Sequence, residues 1–166
     1  MNELVESLGL VGLAGILGAC LGIERELARK PAGLRTHILV AVSAASLMLI
    51  GDGVTERFAA EQAAVRVAAD PLRVMEAVVV GISFLGAGTI VQAGPRVEGL
   101  TTAASILVTA AIGLAVATGE ALFAAIVTGA VLAVLLALGR LEQWLGTAPP
   151  PASEPPGGER RPEPWG

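Results

Sequence analysis

The sequence has few charged side chains, few aromatic side chains and almost no cysteine. Only 16% of its 166 residues are Asp, Glu, Lys or Arg, and only 3% are aromatic, with no tyrosine. Soluble domains carry about 25% charged residues. The single cysteine, Cys20, excludes an intrachain disulfide and a cysteine metal cluster. Because no basic patch is interleaved with aromatic residues, nucleic acid is not expected as a partner.

The sequence instead holds long runs of apolar residues, which make up 54% of the chain. These runs are polar on no face and do not alternate, so they predict membrane-spanning helices rather than barrel strands. We therefore expect an all-α, polytopic membrane helix bundle with about five transmembrane helices and the lipid bilayer as its surroundings. The predicted spans are residues 4–23, 34–51, 74–91, 100–118 and 121–139.

The distribution of Lys and Arg predicts the orientation of the bundle. Eight of the 11 basic residues lie in or directly beside the connections after the first, third and fifth spans, or in the tail. Because basic residues accumulate on the cytoplasmic side, the N-terminus is predicted outside and the C-terminus inside. Residues 1–146 are expected to form the transmembrane domain. Residues 147–166 are rich in proline and are expected to form a disordered cytoplasmic tail.

Glycine is concentrated in the first and third spans. Gly18 and Gly22 have the four-residue spacing that lets two helix backbones approach closely in lipid. The stretch FLGAG, residues 84–88, has two interpretations. It either packs closely against another helix, or it breaks the third span and exposes carbonyl oxygens to an ion or water.

The first group of ionisable residues follows the first span, in GIERELARKPAGLRTH, residues 22–37. Glu26 and Lys30 are expected to pair if the helix continues, and Arg35 to pair with Glu24 or Glu26 if the first two spans pack together. The alternative is a solvated helix end. His37 is interpreted as a hydrogen-bonded packing residue rather than a metal ligand. The residues singled out are Glu24, Arg25, Glu26, Lys30, Arg35, Thr36 and His37.

A second group precedes and enters the third span. Asp70 and Pro71 suit the N-cap and first position of a helix. Arg73 and Glu76 share a face, and Glu76 lies about one turn into the span, where an ionisable residue is a functional candidate with Arg73 as its partner. The segment before them, residues 52–71, is expected to form a short helix on the outer membrane surface.

A third group, residues 94–105, begins with a predicted turn at Gly94 and Pro95. Glu98 and Thr101 lie near the start of the fourth span, and Thr102 and Ser105 place hydroxyl groups on one helix face. Divalent cations prefer carboxylate oxygens, so a divalent ion at this side of the membrane would be held by Glu24, Glu26 and Glu98 together.

The motifs GxxxGxERExxxKPAGLRTH, DPxR, GxxFLGAGxI and GLTTAAS occur in this order between residues 12 and 118. Together they resemble the MgtC/SapB family of bacterial inner-membrane proteins. The resemblance implies a small multi-helix fold with a periplasmic N-terminus, and a link to growth at low magnesium. Longer members carry a cytoplasmic ACT-like domain after the last span, whereas a proline-rich tail follows it here, so roles of that domain are not carried over.

The resemblance leaves two functions open. One is transport or homeostasis of magnesium or another small ion, for which we expect a homo-oligomer because five helices are few for a pore. The other is a non-transporting membrane regulator that binds other membrane proteins, such as the ATP synthase. The selected residues contain no nucleophile–base pair, so an enzyme is not expected. No cofactor is expected, and Mg²⁺ enters only as a transported or sensed ion.

Overall fold

A computed structural model describes residues 1–61, 71–93 and 96–145. Within these residues the chain forms five helices: α1 Asn2–Leu27, α2 Leu34–Glu61, α3 Pro71–Ala87, α4 Leu100–Ala117 and α5 Ala121–Trp144. Two short strands, β1 Val91–Ala93 and β2 Arg96–Glu98, lie between α3 and α4. A helix satisfies its own backbone hydrogen bonds, which suits apolar runs that have no water to bond to. The prediction of an all-α helix bundle is confirmed.

Four of the described helices are long and apolar enough to cross a membrane. They are α1, α2 over Leu34–Thr55, α4, and α5 over Ala121–Leu141. The remaining helix, α3, has 17 residues. At about 1.5 Å per residue it falls short of a hydrocarbon core of about 30 Å.

The ends of α2 and α3 differ from the predicted spans. The second span was predicted to be short, but α2 continues to Glu61, so residues 52–61 extend this helix rather than begin a separate one. Residues 62–70 of the predicted surface helix, including Asp70, lie outside the described residues. The third predicted span reached residue 91, but α3 ends at Ala87.

The FLGAG stretch is the end of α3 and not a break within a span. The backbone N–H groups of Gly88, Thr89 and Ile90 donate to the carbonyls of Phe84, Gly86 and Ala87, at 2.9 to 3.1 Å. A Cβ on Gly86 would lie 3.5 Å from the carbonyl oxygen of Ala103, an ordinary contact with α4. Gly86 thus packs against α4, and the carbonyls of Phe84, Gly86 and Ala87 accept hydrogen bonds within the turn.

A β-hairpin that the sequence analysis did not predict connects α3 to α4. Val91 pairs with Glu98, and Gln92 pairs with Val97, in antiparallel register. The turn predicted at residues 94 and 95 lies outside the described residues. Gly99, the N-cap of α4, has a φ of 88°, and a Cβ there would lie 2.0 Å from the carbonyl oxygen of Thr89. Only glycine fits this position.

Helix α4 is the centre of the bundle. It packs against α1, α2, α3 and α5. Over its apolar span 56% of the residues are buried, compared with 11% for α5. Small side chains such as Ala41, Ala44 and Ala110 fill the interior, while large apolar residues such as Phe123 and Ile126 face outward. This arrangement suits a bundle whose surroundings are lipid.

The same turn ends α1 and α4. After α1, the backbone N–H of Arg29 donates to the Glu26 carbonyl at 3.0 Å, and the backbone N–H of Lys30 donates to the Arg25 carbonyl at 3.0 Å. This is the Schellman pattern, which needs a left-handed residue after the helix. In α4 that residue is Gly119, whereas in α1 it is Arg29, with a φ of 53°.

The described part of the chain ends at residue 145. The predicted tail, residues 147–166, lies outside it, so the boundary between the transmembrane domain and the tail stays a prediction.

Candidate functional site

Two glycines of α1 set the position of His37. A Cβ on Gly18 would lie 2.7 Å from the carbonyl oxygen of His37, and a Cβ on Gly22 would lie 2.7 Å from Cα of Leu34 and 3.1 Å from Cβ of His37. The two helices therefore meet backbone to backbone, as the glycine spacing predicted. Because α1 lies directly against the α2 backbone at His37, the contact between the two helices fixes the position of this residue.

The imidazole ring of His37 connects α2 to α4. The side chain is 0% exposed. Nδ1 lies 2.9 Å from the carbonyl oxygen of Gly33, and Nε2 lies 3.2 Å from Oγ of Ser105. The prediction that His37 is a hydrogen-bonded packing residue is confirmed in its geometry.

A row of hydroxyl groups on α4 continues from the ring. The Ser105 hydroxyl lies 2.8 Å from the Thr102 carbonyl, and the Thr109 hydroxyl donates to the Ser105 carbonyl at 2.8 Å. We call His37, Thr102, Ser105 and Thr109 the histidine seam. All four side chains are buried, and no buried polar atom of the described residues lacks a hydrogen-bond partner. The seam is thus a fully bonded polar strip inside an apolar bundle.

Glu24 and Arg25 form an ion pair at the end of α1. Nη2 of Arg25 donates to Oε1 of Glu24 at 2.7 Å, and Nε of Arg25 donates to Oε2. The Arg25 side chain is 4% exposed and that of Glu24 is 11% exposed. A buried guanidinium needs such a partner, because an unpaired charge near lipid is costly.

Glu26 ties the end of α1 to the start of α2. Its Oε2 accepts a 2.9 Å hydrogen bond from the backbone N–H of Leu34, the first residue of α2. That N–H has no partner within the helix, and the carboxylate complements the positive end of the helix dipole. A Cβ on Gly33 would lie 1.7 Å from Oε2 of Glu26, so a larger residue there would displace the carboxylate from its bond to Leu34.

Several predicted pairs do not form. Among the described residues, the only ion pair within 4.0 Å is that of Arg25 with Glu24. Lys30 cannot pair with Glu26 along a helix, because α1 ends at Leu27 and the chain turns. Arg35 is exposed and pairs with neither Glu24 nor Glu26.

The remaining predicted residues lie apart from the seam. Arg73 and Glu76 are both exposed on α3 and do not pair with each other, although they share a face. Glu98 and Thr101 are exposed near the start of α4, and Thr36 is half-buried. Thr36 lines a cleft of about 410 Å³ between the α1–α2 connection, the end of α3 and α4, which is otherwise mostly apolar.

The three predicted metal ligands are not brought together. Glu24 bonds to Arg25, and Glu26 bonds to the backbone of Leu34. Within residues 1–61, 71–93 and 96–145, no group of three or more His, Cys, Asp or Glu side chains is placed to hold a metal ion. The described residues therefore give no support to a site formed by Glu24, Glu26 and Glu98.

The sequence profile of the MgtC family matches residues 11–144. This chain belongs to the MgtC family. The match covers both the seam and the Glu24–Arg25 pair, so these features lie within the part shared with the family. No solved structure matches the chain.

Named relatives of this MgtC-family chain come from several bacteria. A protein named MgtC from Brucella abortus is 39% identical over 80% of the chain and 52% of its own length. A putative magnesium transporter, YhiD, from Escherichia coli is 41% identical over 64% of the chain and 48% of its own length. Protein SapB from Bacillus subtilis is 37% identical over 66% of the chain and 46% of its own length. The chain thus spans about half the length of these relatives.

Sequence reasoning missed one member of the seam in this MgtC-family chain. Thr109 was not selected, although it lies one turn beyond Ser105 on the same face of α4. The signal was the spacing of Thr102, Ser105 and Thr109 within an otherwise apolar helix, which places three hydroxyl groups in a row. What sequence could not reveal was that His37 meets this row from another helix.

Proposed function

We propose that this MgtC-family membrane protein acts in the transport or homeostasis of magnesium or another small ion. The observation that supports the proposal is the histidine seam. An ionisable ring and three hydroxylated residues from two helices meet inside an apolar bundle, where ionisable residues are costly and usually functional. The relative named as a putative magnesium transporter agrees with this choice of ion.

Transport is tested with purified protein in liposomes that contain a magnesium-sensitive dye. We expect Mg²⁺ entry above that of empty liposomes when a membrane potential, negative inside, is imposed. Ser105→Ala should reduce the rate several-fold, because it removes the hydroxyl between His37 and Thr102. Glu6→Ala, an exposed acid in the first part of α1, is the matched control and should leave the rate unchanged.

A transporting form is proposed to be a homo-oligomer, since five helices are few to enclose a pore. Chemical crosslinking in the liposomes measures the number of subunits. Absence of flux under both polarities of membrane potential, from protein that crosslinks as a defined oligomer, would contradict transport.

A second function, that of a non-transporting membrane regulator, is favoured by a different observation. The described carboxylates form no metal site, and the buried polar atoms of the described residues are all bonded to the protein. In this case the outward-facing helices would contact another membrane protein, with the ATP synthase as the candidate implied by the family resemblance.

The regulator proposal is tested by placing the purified protein and purified bacterial ATP synthase in the same liposomes. ATP-driven proton pumping should fall as the ratio of this protein to the synthase rises. A bulky change on the outward face of α5, Gly129→Leu, should weaken the effect, because a Cβ at Gly129 meets nothing within 4 Å in the bundle. Unchanged pumping at every ratio would rule out the synthase as the partner.

A further inference from the structure

The hydrogen-bond partners of His37 determine which ring nitrogen donates and which can accept. Nδ1 lies 2.9 Å from the Gly33 carbonyl oxygen, which only accepts, so Nδ1 must carry a proton. Nε2 lies 3.2 Å from the Ser105 hydroxyl, which both donates and accepts. That hydroxyl has a second neighbour, the Thr102 carbonyl oxygen at 2.8 Å, and only one hydrogen to share between the two.

Two arrangements therefore satisfy the same geometry. In the first, the ring is neutral and the Ser105 hydroxyl donates to Nε2. In the second, Nε2 carries an added proton and donates to the Ser105 oxygen, while the Ser105 hydroxyl donates to the Thr102 carbonyl. No ring nitrogen lacks a partner in either arrangement, and the heavy atoms need not move. The two arrangements differ by one added proton on Nε2 and by the rotation of one hydroxyl.

The charged groups around the ring come from α1. Arg25 and Glu24 act on His37 electrostatically with opposite sign, and they are paired with each other. Helix α4 faces the ring with hydroxyl groups and contains no charged residue. In α2 itself the nearest charge, Arg35, is exposed. The charged groups nearest the ring are thus an acid and a base that bond to each other.

We propose that His37 is a reversible proton-binding site inside the bundle, in which the Ser105 hydroxyl rotates to serve the neutral and the protonated ring in turn. The ligand is a proton, and the site connects α1, α2 and α4 at one end of the bundle. This proposal stands whether or not the protein moves ions, because it depends only on the bonds of His37 and Ser105.

The test uses the fact that His37 is the only histidine of the chain. Protein labelled with ¹⁵N-histidine in lipid bilayers gives ring signals that report each nitrogen without assignment. We expect the Nδ1–H tautomer at high pH and, on acidification, a reversible change to a ring protonated at both nitrogens, with helix content constant. An Nε2–H tautomer, or a ring that stays neutral until the helices unfold, would overturn the proposal.

Variants separate the role of Ser105 from general packing. A hydrogen bond to a charged group is worth about 1–1.5 kcal/mol more than one to a neutral group, and about 1.4 kcal/mol corresponds to a tenfold ratio. At the pH where half of the wild-type ring is protonated, Ser105→Ala should lower the ratio of protonated to neutral ring about tenfold. Thr109→Val is the control, since the Thr109 hydroxyl bonds to the Ser105 carbonyl and not to the ring.

An unchanged ratio in folded Ser105→Ala protein would show that the Ser105 hydroxyl does not bond to the ring in turn, and would overturn the proposal. If that variant does not fold, the tautomer of the wild-type protein still decides the proposal, because the Nδ1–H form is required.

Discussion

The carboxylate of Glu26 accepts a hydrogen bond of 2.9 Å from the backbone N–H of Leu34, eight residues later in the sequence. A side chain at the end of α1 therefore caps the beginning of α2. Ordinary N-caps come from the residue beside the helix. Here the cap also joins α1 to the start of α2, one turn before His37, whose ring bonds to the Gly33 carbonyl.

Removal of this cap should weaken the α1–α2 connection. Glu26→Ala is expected to lower the free energy of unfolding by about 1 kcal/mol, the usual cost of losing a helix cap. Unfolding of purified protein in mixed micelles, followed by circular dichroism, measures the change. Glu6→Ala removes an acid from an exposed position of α1 and should change stability by less than about 0.5 kcal/mol. Equal losses in both variants would contradict the capping role.

The close approach of α1 and α2 predicts different effects for two glycines of the same helix. Gly18→Ala would place a Cβ 2.7 Å from the His37 carbonyl oxygen, so the helices must separate. We expect a loss of about 1–3 kcal/mol in unfolding free energy. Gly12→Ala meets nothing within 4 Å and should be neutral or slightly stabilising, since alanine favours helix. If both variants unfold alike, these helices do not meet at Gly18.

The Glu24–Arg25 pair should be measurable as a coupling between the two residues. Arg25→Met leaves the Glu24 carboxylate without its partner in a mostly buried place, and should destabilise by about 3 kcal/mol or more. Adding Glu24→Gln to Arg25→Met should restore part of this loss, because the stranded charge is removed. A double-mutant cycle from the same unfolding assay gives the coupling energy, which we expect between about 0.5 and 3 kcal/mol. Strictly additive effects would mean that the pair contributes nothing.

The turn after α1 offers a stabilising substitution. Arg29 has a left-handed backbone, with a φ of 53°, at a position where Gly119 serves in the equivalent turn after α4. Such a conformation costs a non-glycine residue about 1–2 kcal/mol. Arg29→Gly should therefore raise the unfolding free energy by about 0.5–1 kcal/mol, after the extra freedom of glycine in the unfolded chain is subtracted.

Lys30 provides the comparison for this substitution. It is the next residue of the same turn and has no positive φ. Lys30→Gly should be neutral or destabilising, because the glycine relieves no strain there. A loss of stability in Arg29→Gly would show that the Arg29 side chain stabilises the fold by more than its left-handed backbone costs.

The helices were predictable because their sequence pattern is continuous and strong. Apolar runs of about 20 residues have few alternatives in lipid, so the five helices could be predicted from sequence. The glycine spacing of α1 likewise predicted its close packing against another helix. The ends were less predictable. The β-hairpin consists of two three-residue strands around Gly94 and Pro95, too short to give a periodic signal. The extension of α2 to Glu61 passes through Asp52 and Gly53, residues that usually end a helix.

The partners of the polar residues were the part that sequence could not supply. Sequence spacing suggested Glu26 with Lys30 and Arg35 with an acid of α1, but Glu26 bonds to a backbone N–H and Arg35 faces outward. Spacing reports which residues share one helix face, and it says nothing about which face another helix will meet. Arg29 entered a left-handed turn instead of continuing α1, and this ended the helical spacing on which the Lys30 pair depended.

The sequence by itself determined that this protein is a bundle of apolar helices, because continuous apolar runs satisfy their backbone hydrogen bonds in lipid as helices. It also determined the MgtC family, through the match over residues 11–144. Only the tertiary structure decided that His37 meets Ser105, 68 residues away, and that Glu24 turns to Arg25. The physical reason is that a buried polar group must bond to whatever the packing of backbones brings within about 3 Å. Here the packing depends on glycines, which have no side chain and so let the helix backbones approach closely.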